Sequence, residues 1–119
     1  MNTTAQFPFE TFRHAIETSN FDALVDLYSQ DALYRIVDRR NPPSKPLELR
    51  GKPAIAAYLE DVCARAMTHK LEDQLQDGNK LAFTEACEYP DGTRVFCAAV
   101  LELNNGKITR QTNVQAWDE

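Results

Sequence analysis

The chain is short of the residues that staple or ligate. Its 119 residues include 3 cysteines and 2 histidines. Cys63, Cys87 and Cys97 form no C-x-x-C pair, and His14 and His69 lie far apart. A zinc site asks for about four well-spaced ligands, so no metal is expected. An odd number of thiols fits reduced cysteines. G-x-G-x-x-G, G-x-x-x-x-G-K-[ST] and G-x-S-x-G are all missing, and no cofactor is expected. No apolar run approaches the ~18 residues of a membrane span. The start, Met1-Asn2-Thr3-Thr4-Ala5-Gln6, is polar and lacks the charged-then-apolar order of a leader, so a cytoplasmic location is expected. Positive charge is in deficit: 13 Lys and Arg against 18 Asp and Glu give a net charge of −5. That field disfavours nucleic acid and anionic membranes as partners. With 4 Gly, 6 Pro and 43% hydrophobic residues, the composition is that of a single domain spanning residues 1–119.

What is present divides into a helical half and a β-rich half. Phe9, Phe12 and Ile16 recur at helical spacing and predict a helix ending near Ser19. Asn20 is a candidate cap for a second helix that buries Phe21, Leu24 and Leu27-Tyr28. Leu33 to Val37 reads as a strand. Arg39 to Gly51 holds Pro42, Pro43 and Pro46 and reads as a long loop, of the kind that forms a lid or rim. Pro53 fits the first turn of a long helix. Ile55, Tyr58, Leu59, Val62, Cys63 and Ala66 line one face of it. From Thr68 onward, three Gly-containing turns separate four strands.

The turns predict the register. Tyr89-Pro90-Asp91-Gly92-Thr93 suits a three-residue hairpin with a bulge, which places Glu88 opposite Arg94 and Glu85 opposite Cys97. Leu103 to Lys107 suggests the same turn and places Cys97 opposite Asn113. A two-residue Asn-Gly turn would shift this by one. If Asp77-Gly78-Asn79 pairs Leu75 with Leu81, then His69 faces Cys87 and Asp73 faces Phe83. Alternation then gives two apolar faces. One carries Leu81, Phe83, Glu85, Cys87, Cys97, Ala99, Gln111, Asn113, Gln115 and Trp117. The other carries Ala82, Thr84, Ala86, Phe96, Ala98, Val100, Thr112, Val114 and Ala116. The first is expected to hold helices and a cavity. The second is expected to meet another subunit, as a homodimer.

Helices, a Pro-rich segment and a curved sheet in this order resemble the nuclear-transport-factor-2-like superfamily, in its SnoaL-like and ketosteroid-isomerase-like branch. The similarity lies in Asn20 to Val25 through Tyr28 to Ala32, and in Arg50-Gly51-Lys52-Pro53-Ala54-Ile55 with Tyr58. Thr68-His69-Lys70-Leu71 and Gly106 to Arg110 extend it over nearly the whole chain. The resemblance implies an α+β fold: a cone-shaped, curved antiparallel or mixed β-sheet wrapped around the N-terminal helices and one long helix. It also implies a pocket at the wide end of the cone. Ketosteroid isomerase chemistry needs an aspartate base, plus a tyrosine and a protonated aspartate as donors. Those positions align with Ile36, Phe12 and Ala99, which cannot do that work. The final-strand aspartate of related cyclases and epoxide hydrolases aligns with Asn113.

The remaining polar groups on the cavity face are the candidates for chemistry. Glu85, among apolar neighbours, is a general acid or base, with His69 as its partner near neutral pH. The alternatives are a structural carboxylate held by Gln111 and Asn113, and a satisfied rim histidine. Tyr34, Ile36, Tyr58, Asp73, Phe83, Cys97, Ala99, Gln111, Asn113 and Gln115 are candidate ligand contacts. Arg39, Arg40, Lys45, Arg50 and Lys52 make the Pro-rich segment basic, either as a solvated rim or as an attractor of an anionic ligand. Three functions fit these residues: a proton-transfer enzyme (isomerase, cyclase or hydratase) for a small apolar molecule, a non-catalytic binder of such a molecule, or a dimeric interaction domain.

Overall fold

A computed structural model describes residues 6–118 of the chain, so the polar stretch Met1 to Ala5 lies outside it. The elements are α1 (Phe9–Glu17), α2 (Phe21–Val25), β1 (Tyr28–Val37), β2 (Leu47–Arg50), α3 (Lys52–Cys63), β3 (Thr68–Asp77), β4 (Lys80–Glu88), β5 (Arg94–Asn104) and β6 (Lys107–Trp117). One six-stranded sheet has the order β2-β1-β6-β5-β4-β3. All neighbours are antiparallel except β1 and β6, which run parallel. The fold is the expected α+β arrangement, with the helices on one face of the sheet. None of the described helices is long and apolar enough to cross a membrane.

The helical half is shorter than its periodicity suggests. In α1, Phe9, Phe12 and Ala15 are buried. Asn20 caps α2, its side chain accepting from the Ala23 amide at 3.2 Å. The helix stops at Val25, and Tyr28, expected on its buried face, instead starts β1 opposite Ile108. The Ile108 amide donates to the Leu27 carbonyl at 2.8 Å, so sheet pairing overrides local helix preference here. The Pro-rich segment is also not all loop, because Leu47–Arg50 pairs with Leu33 to Ile36. Gly51 follows with φ of 88°, a conformation that favours glycine, and its amide donates to the Ala32 carbonyl at 2.8 Å. Helix α3 ends at Cys63 rather than near Ala66; Ile55 and Leu59 are its buried residues.

The β4–β5 hairpin has the expected register, with Glu88 opposite Arg94 and Glu85 opposite Cys97. The other two hairpins differ, each because a bulge absorbs one residue. In β5–β6, Asn105 and Gly106 both take positive φ and form a tight two-residue turn. A bulge beyond it leaves Gln115, not Asn113, opposite Cys97, and puts Asn113 opposite Ala99. The net slip is two residues, so Gln111, Asn113, Gln115 and Trp117 keep their expected face. In β3–β4, Leu75 pairs with Ala82, yet His69 still pairs with Cys87. The extra residue is taken up around Asp73, whose φ is 55°. Asp73 and Leu75 are therefore exposed rather than in the cavity, and the Thr84 hydroxyl donates to the Asp73 carboxylate at 2.6 Å.

Phe12 meets Phe83 edge-on, ring centroids 5.6 Å apart, where α1 crosses the sheet. Leu81, Leu101 and Ile108 are fully buried around this contact. The Glu17 carboxylate accepts the Leu71 amide at 3.0 Å, so α1 is tied to edge strand β3. The opposite sheet face is bare: Phe96, Val100 and Val114 are each about half exposed.

Candidate functional site

The space between α3 and the sheet divides into two parts. Toward the tight β-turns it is solidly packed, and Phe83 and Ala99 belong to that core. Toward the other end lies a cavity of about 80 Å³. Its walls come from Tyr28 and Tyr34 of β1, Tyr58, Leu59, Val62 and Cys63 of α3, His69, Glu85 and Cys87, Cys97, and Gln111, Asn113, Gln115 and Trp117. Phe83, Ala99 and Ile36, expected as ligand contacts, are not among the wall residues; Phe12 of α1 covers Phe83, and Ile36 lines a separate hollow at the rim.

Two polar clusters face this space. In the first, His69 Nδ1 lies 2.8 Å from Glu85 Oε2 and 3.3 Å from Cys87 Sγ, and the Cys87 thiol donates to Glu85 Oε2 at 3.1 Å. The strands dictate this meeting: His69 is directly opposite Cys87, and Glu85 is its diagonal neighbour. The side chains are only 6% and 14% exposed, so solvent screens the pair weakly. Burial works against an imidazolium here. The hydrogen bonds to Cys87 and Glu85 and the charge of Glu85 outweigh it, lifting the His69 pKa from 6.5 to about 9. The Cys87 thiol is pushed strongly upward, first by its hydrogen bond with Cys97 and then by burial, so it is a poor nucleophile.

Nitrogen, oxygen and sulfur ligand atoms within 4.8 Å of one another also form a donor set for a thiophilic cation. Ligands of a tetrahedral zinc stand about 3.4–3.6 Å apart, by the usual bond lengths. The separations here, 2.8, 3.1 and 3.3 Å, are all shorter and are those of shared protons.

The second cluster is a chain of four groups. The Tyr28 hydroxyl donates to Gln111 Oε1 at 2.6 Å, Gln111 Nε2 donates to Asn113 Oδ1 at 3.0 Å, and Asn113 Nδ2 donates to the Tyr34 hydroxyl at 2.8 Å. Among the described residues the Tyr34 O–H is given no acceptor. Turning both amides end for end reverses the chain and moves the spare proton to Tyr28. Either way, one tyrosine at the cavity wall has a free donor. Burial raises the pKa values of Tyr28, Tyr34 and Tyr58, with Glu85 adding to each, so all three keep their protons.

Three contributors, Tyr28, Arg65 and Tyr89, escaped the sequence reading, whereas Trp117 lies on the face expected for it. Tyr28 was hidden by its place in an apparent helix. Arg65, Tyr89 and Trp117 meet at the mouth: the Tyr89 and Trp117 rings stack 6.0 Å apart, and Arg65 Nη1 donates to the Tyr89 hydroxyl at 3.1 Å. Only their shared proximity to the cavity end of the strands marks them, and the hairpin register carries that signal.

The description that matches this chain is "SnoaL-like domain", over residues 9–111. The chain belongs to the SnoaL-like domain family. No curated protein matches its sequence. Solved structures similar to this SnoaL-like domain include a nuclear-transport-factor-2-like protein of unknown function from Mesorhizobium loti, with TM-score 0.77, 14% identity and coverage of 91% of this chain and 87% of that one. A candidate ketosteroid isomerase from Kribbella flavida has TM-score 0.76 and 16% identity over 93% and 75% of the two chains. An LEH-like epoxide hydrolase from M. tuberculosis has TM-score 0.68 and 20% identity over 91% and 79%. At these identities the likeness is one of fold.

The raised His69 pKa has a consequence for stability. A group whose folded pKa lies above its unfolded value stabilises the fold fully below the unfolded value, and that contribution is lost as pH rises through the folded one. For His69 the window is pH 6.5 to about 9. Linkage sets a ceiling of about 3 kcal/mol, and a loss of about 1–2 kcal/mol is expected. Urea unfolding at both ends of this window should reveal the loss in the native protein. The slope should be flattened in His69→Asn; an equal slope in that variant would assign the effect to other groups.

Proposed function

We propose that this SnoaL-like domain is a proton-transfer enzyme for a small, mainly apolar carbonyl compound. The observation that carries the reading is the pairing of Glu85 with His69 across one cavity from a tyrosine whose O–H is free. In the proposed reaction the Glu85 carboxylate takes a proton from the carbon next to the carbonyl. The C–H electron pair forms the new carbon–carbon double bond, the carbonyl π pair moves onto oxygen, and Tyr34 donates a hydrogen bond to that enolate oxygen. Glu85 then returns the proton to carbon, and the His69 imidazolium holds the carboxylate in place throughout. Phe12, Ile36 and Ala99 occupy the positions of the ketosteroid isomerase groups, so the chemistry here depends on a different set. The test is deuterium incorporation from D2O into a panel of small apolar ketones and aldehydes, followed by proton NMR. Exchange that a Glu85 variant abolishes supports the reading; binding without any exchange would leave a non-catalytic binder.

The bare outer sheet face supports a second proposal, a homodimer. Phe96 is 51%, Val100 53% and Val114 52% exposed, beside exposed Ala98 and Ala116, an apolar patch of a kind rarely left in water. The small residues allow close sheet-on-sheet packing about a twofold axis. Ala98→Glu should yield monomers or insoluble protein in sedimentation velocity, and an unchanged dimer would remove this face as the interface.

A further inference from the structure

A second hollow, of about 280 Å³, adjoins the cavity at the rim. The two share Tyr58, Arg65, Gln115 and Trp117, and the hollow adds Arg39 and Arg40. A ligand larger than the inner cavity that extends past Tyr58 and Trp117 reaches this hollow, so the rim meets one end of it.

That end meets positive charge, on a protein whose net charge is −5. The Arg39 guanidinium lies 5.4 Å from the centre of the Trp117 ring, close enough for a cation–π contact. Trp117 in turn stacks on Tyr89, which accepts from Arg65. Two carboxylates are near, and both are engaged. Asp61 pairs with Arg65 at 2.6 Å. Asp38 Oδ1 accepts the Arg40 and Asn41 amides and the Asn41 side chain, each at 2.9 Å. Among the described residues Arg13, Arg50, Arg65, Arg94 and Arg110 pair with carboxylates; Arg35, Arg39 and Arg40 do not, and of these three Arg39 and Arg40 line the hollow. The Pro-rich segment thus brings two uncommitted guanidinium groups to the mouth of the cavity, and guanidinium forks match carboxylates in geometry.

We infer that the ligand is amphipathic: an apolar body in the cavity and a carboxylate at the rim, recognised by Arg39 and Arg40. This rests on the reading of the cavity as a site for an apolar body and names the class of acid it accepts. Naphthylacetate and its neutral counterpart naphthylacetamide test it, because they share a body and differ in charge. Each is titrated into the protein while the indole N–H signal of Trp117, the chain's 1 tryptophan, is followed by NMR.

Naphthylacetate should bind about tenfold tighter than naphthylacetamide, with the difference shrinking in salt. The paired substitution Arg39→Gln and Arg40→Gln should erase the preference and leave naphthylacetamide affinity unchanged. Equal affinities in the native protein, or a preference that survives both substitutions, would overturn the inference while leaving the apolar cavity intact. Failure of both compounds to bind would instead count against the cavity reading, and this inference would fall with it.

Discussion

Glu85→Gln should keep ligand affinity roughly intact and lower turnover by about 10²–10⁴, the usual contribution of a positioned general base. Glutamine preserves the size and one acceptor oxygen of Glu85 but has no basic lone pair to take a proton from carbon. It also removes the charge that holds His69 protonated, so the His69 pKa should fall in the same variant. The readout is the rate of deuterium incorporation into whichever ketone of the panel the native protein exchanges. If turnover is unchanged while stability moves by about 1 kcal/mol, Glu85 is a structural carboxylate and proton transfer resides elsewhere.

Gln111→Leu should be among the most damaging changes near the site. Gln111 is 3% exposed and serves two partners, accepting from Tyr28 and donating to Asn113. Leucine leaves both partners buried with nothing to replace the bond. At about 1–3 kcal/mol for each orphaned group, the loss should be about 2–6 kcal/mol in urea unfolding. Adding Tyr28→Phe removes one of the two orphans. The double variant should therefore be more stable than the sum of the single changes implies. A loss below about 0.5 kcal/mol in Gln111→Leu would mean that water satisfies these groups, and that the chain from Tyr28 to Tyr34 is not sealed.

How much of this was legible in the sequence depends on how local the signals were. The Tyr89 to Thr93 turn states its type through Pro90 and Gly92. One strand pair followed from it residue by residue, including Glu85 opposite Cys97. The bulges near Asp73 and Thr109 have no such signature, because Asp73 adopts its positive φ without being glycine. The two slips had unequal consequences. A two-residue slip on β6 left Gln111, Asn113 and Gln115 facing inward and changed only their partners. The single-residue slip on β3 turned Asp73 and Leu75 outward. Tyr28 was hidden for another reason: helix and strand compete for the same short stretch, and its parallel partner on β6 is remote in sequence. The rim was legible only in part, through the basic Pro-rich segment that holds Arg39 and Arg40. Arg39, Arg65, Tyr89 and Trp117 come from four separate segments, and no local pattern announces their convergence.

The central claim is that His69 and Glu85 form one proton-sharing pair inside the cavity. An NMR titration of the His69 ring, assigned by its loss in His69→Asn, tests this most directly. The account predicts an imidazolium that persists through neutrality and titrates at about 9, with a marked fall in Glu85→Gln. A His69 that titrates near 6.5, and is indifferent to the Glu85 substitution, would contradict it.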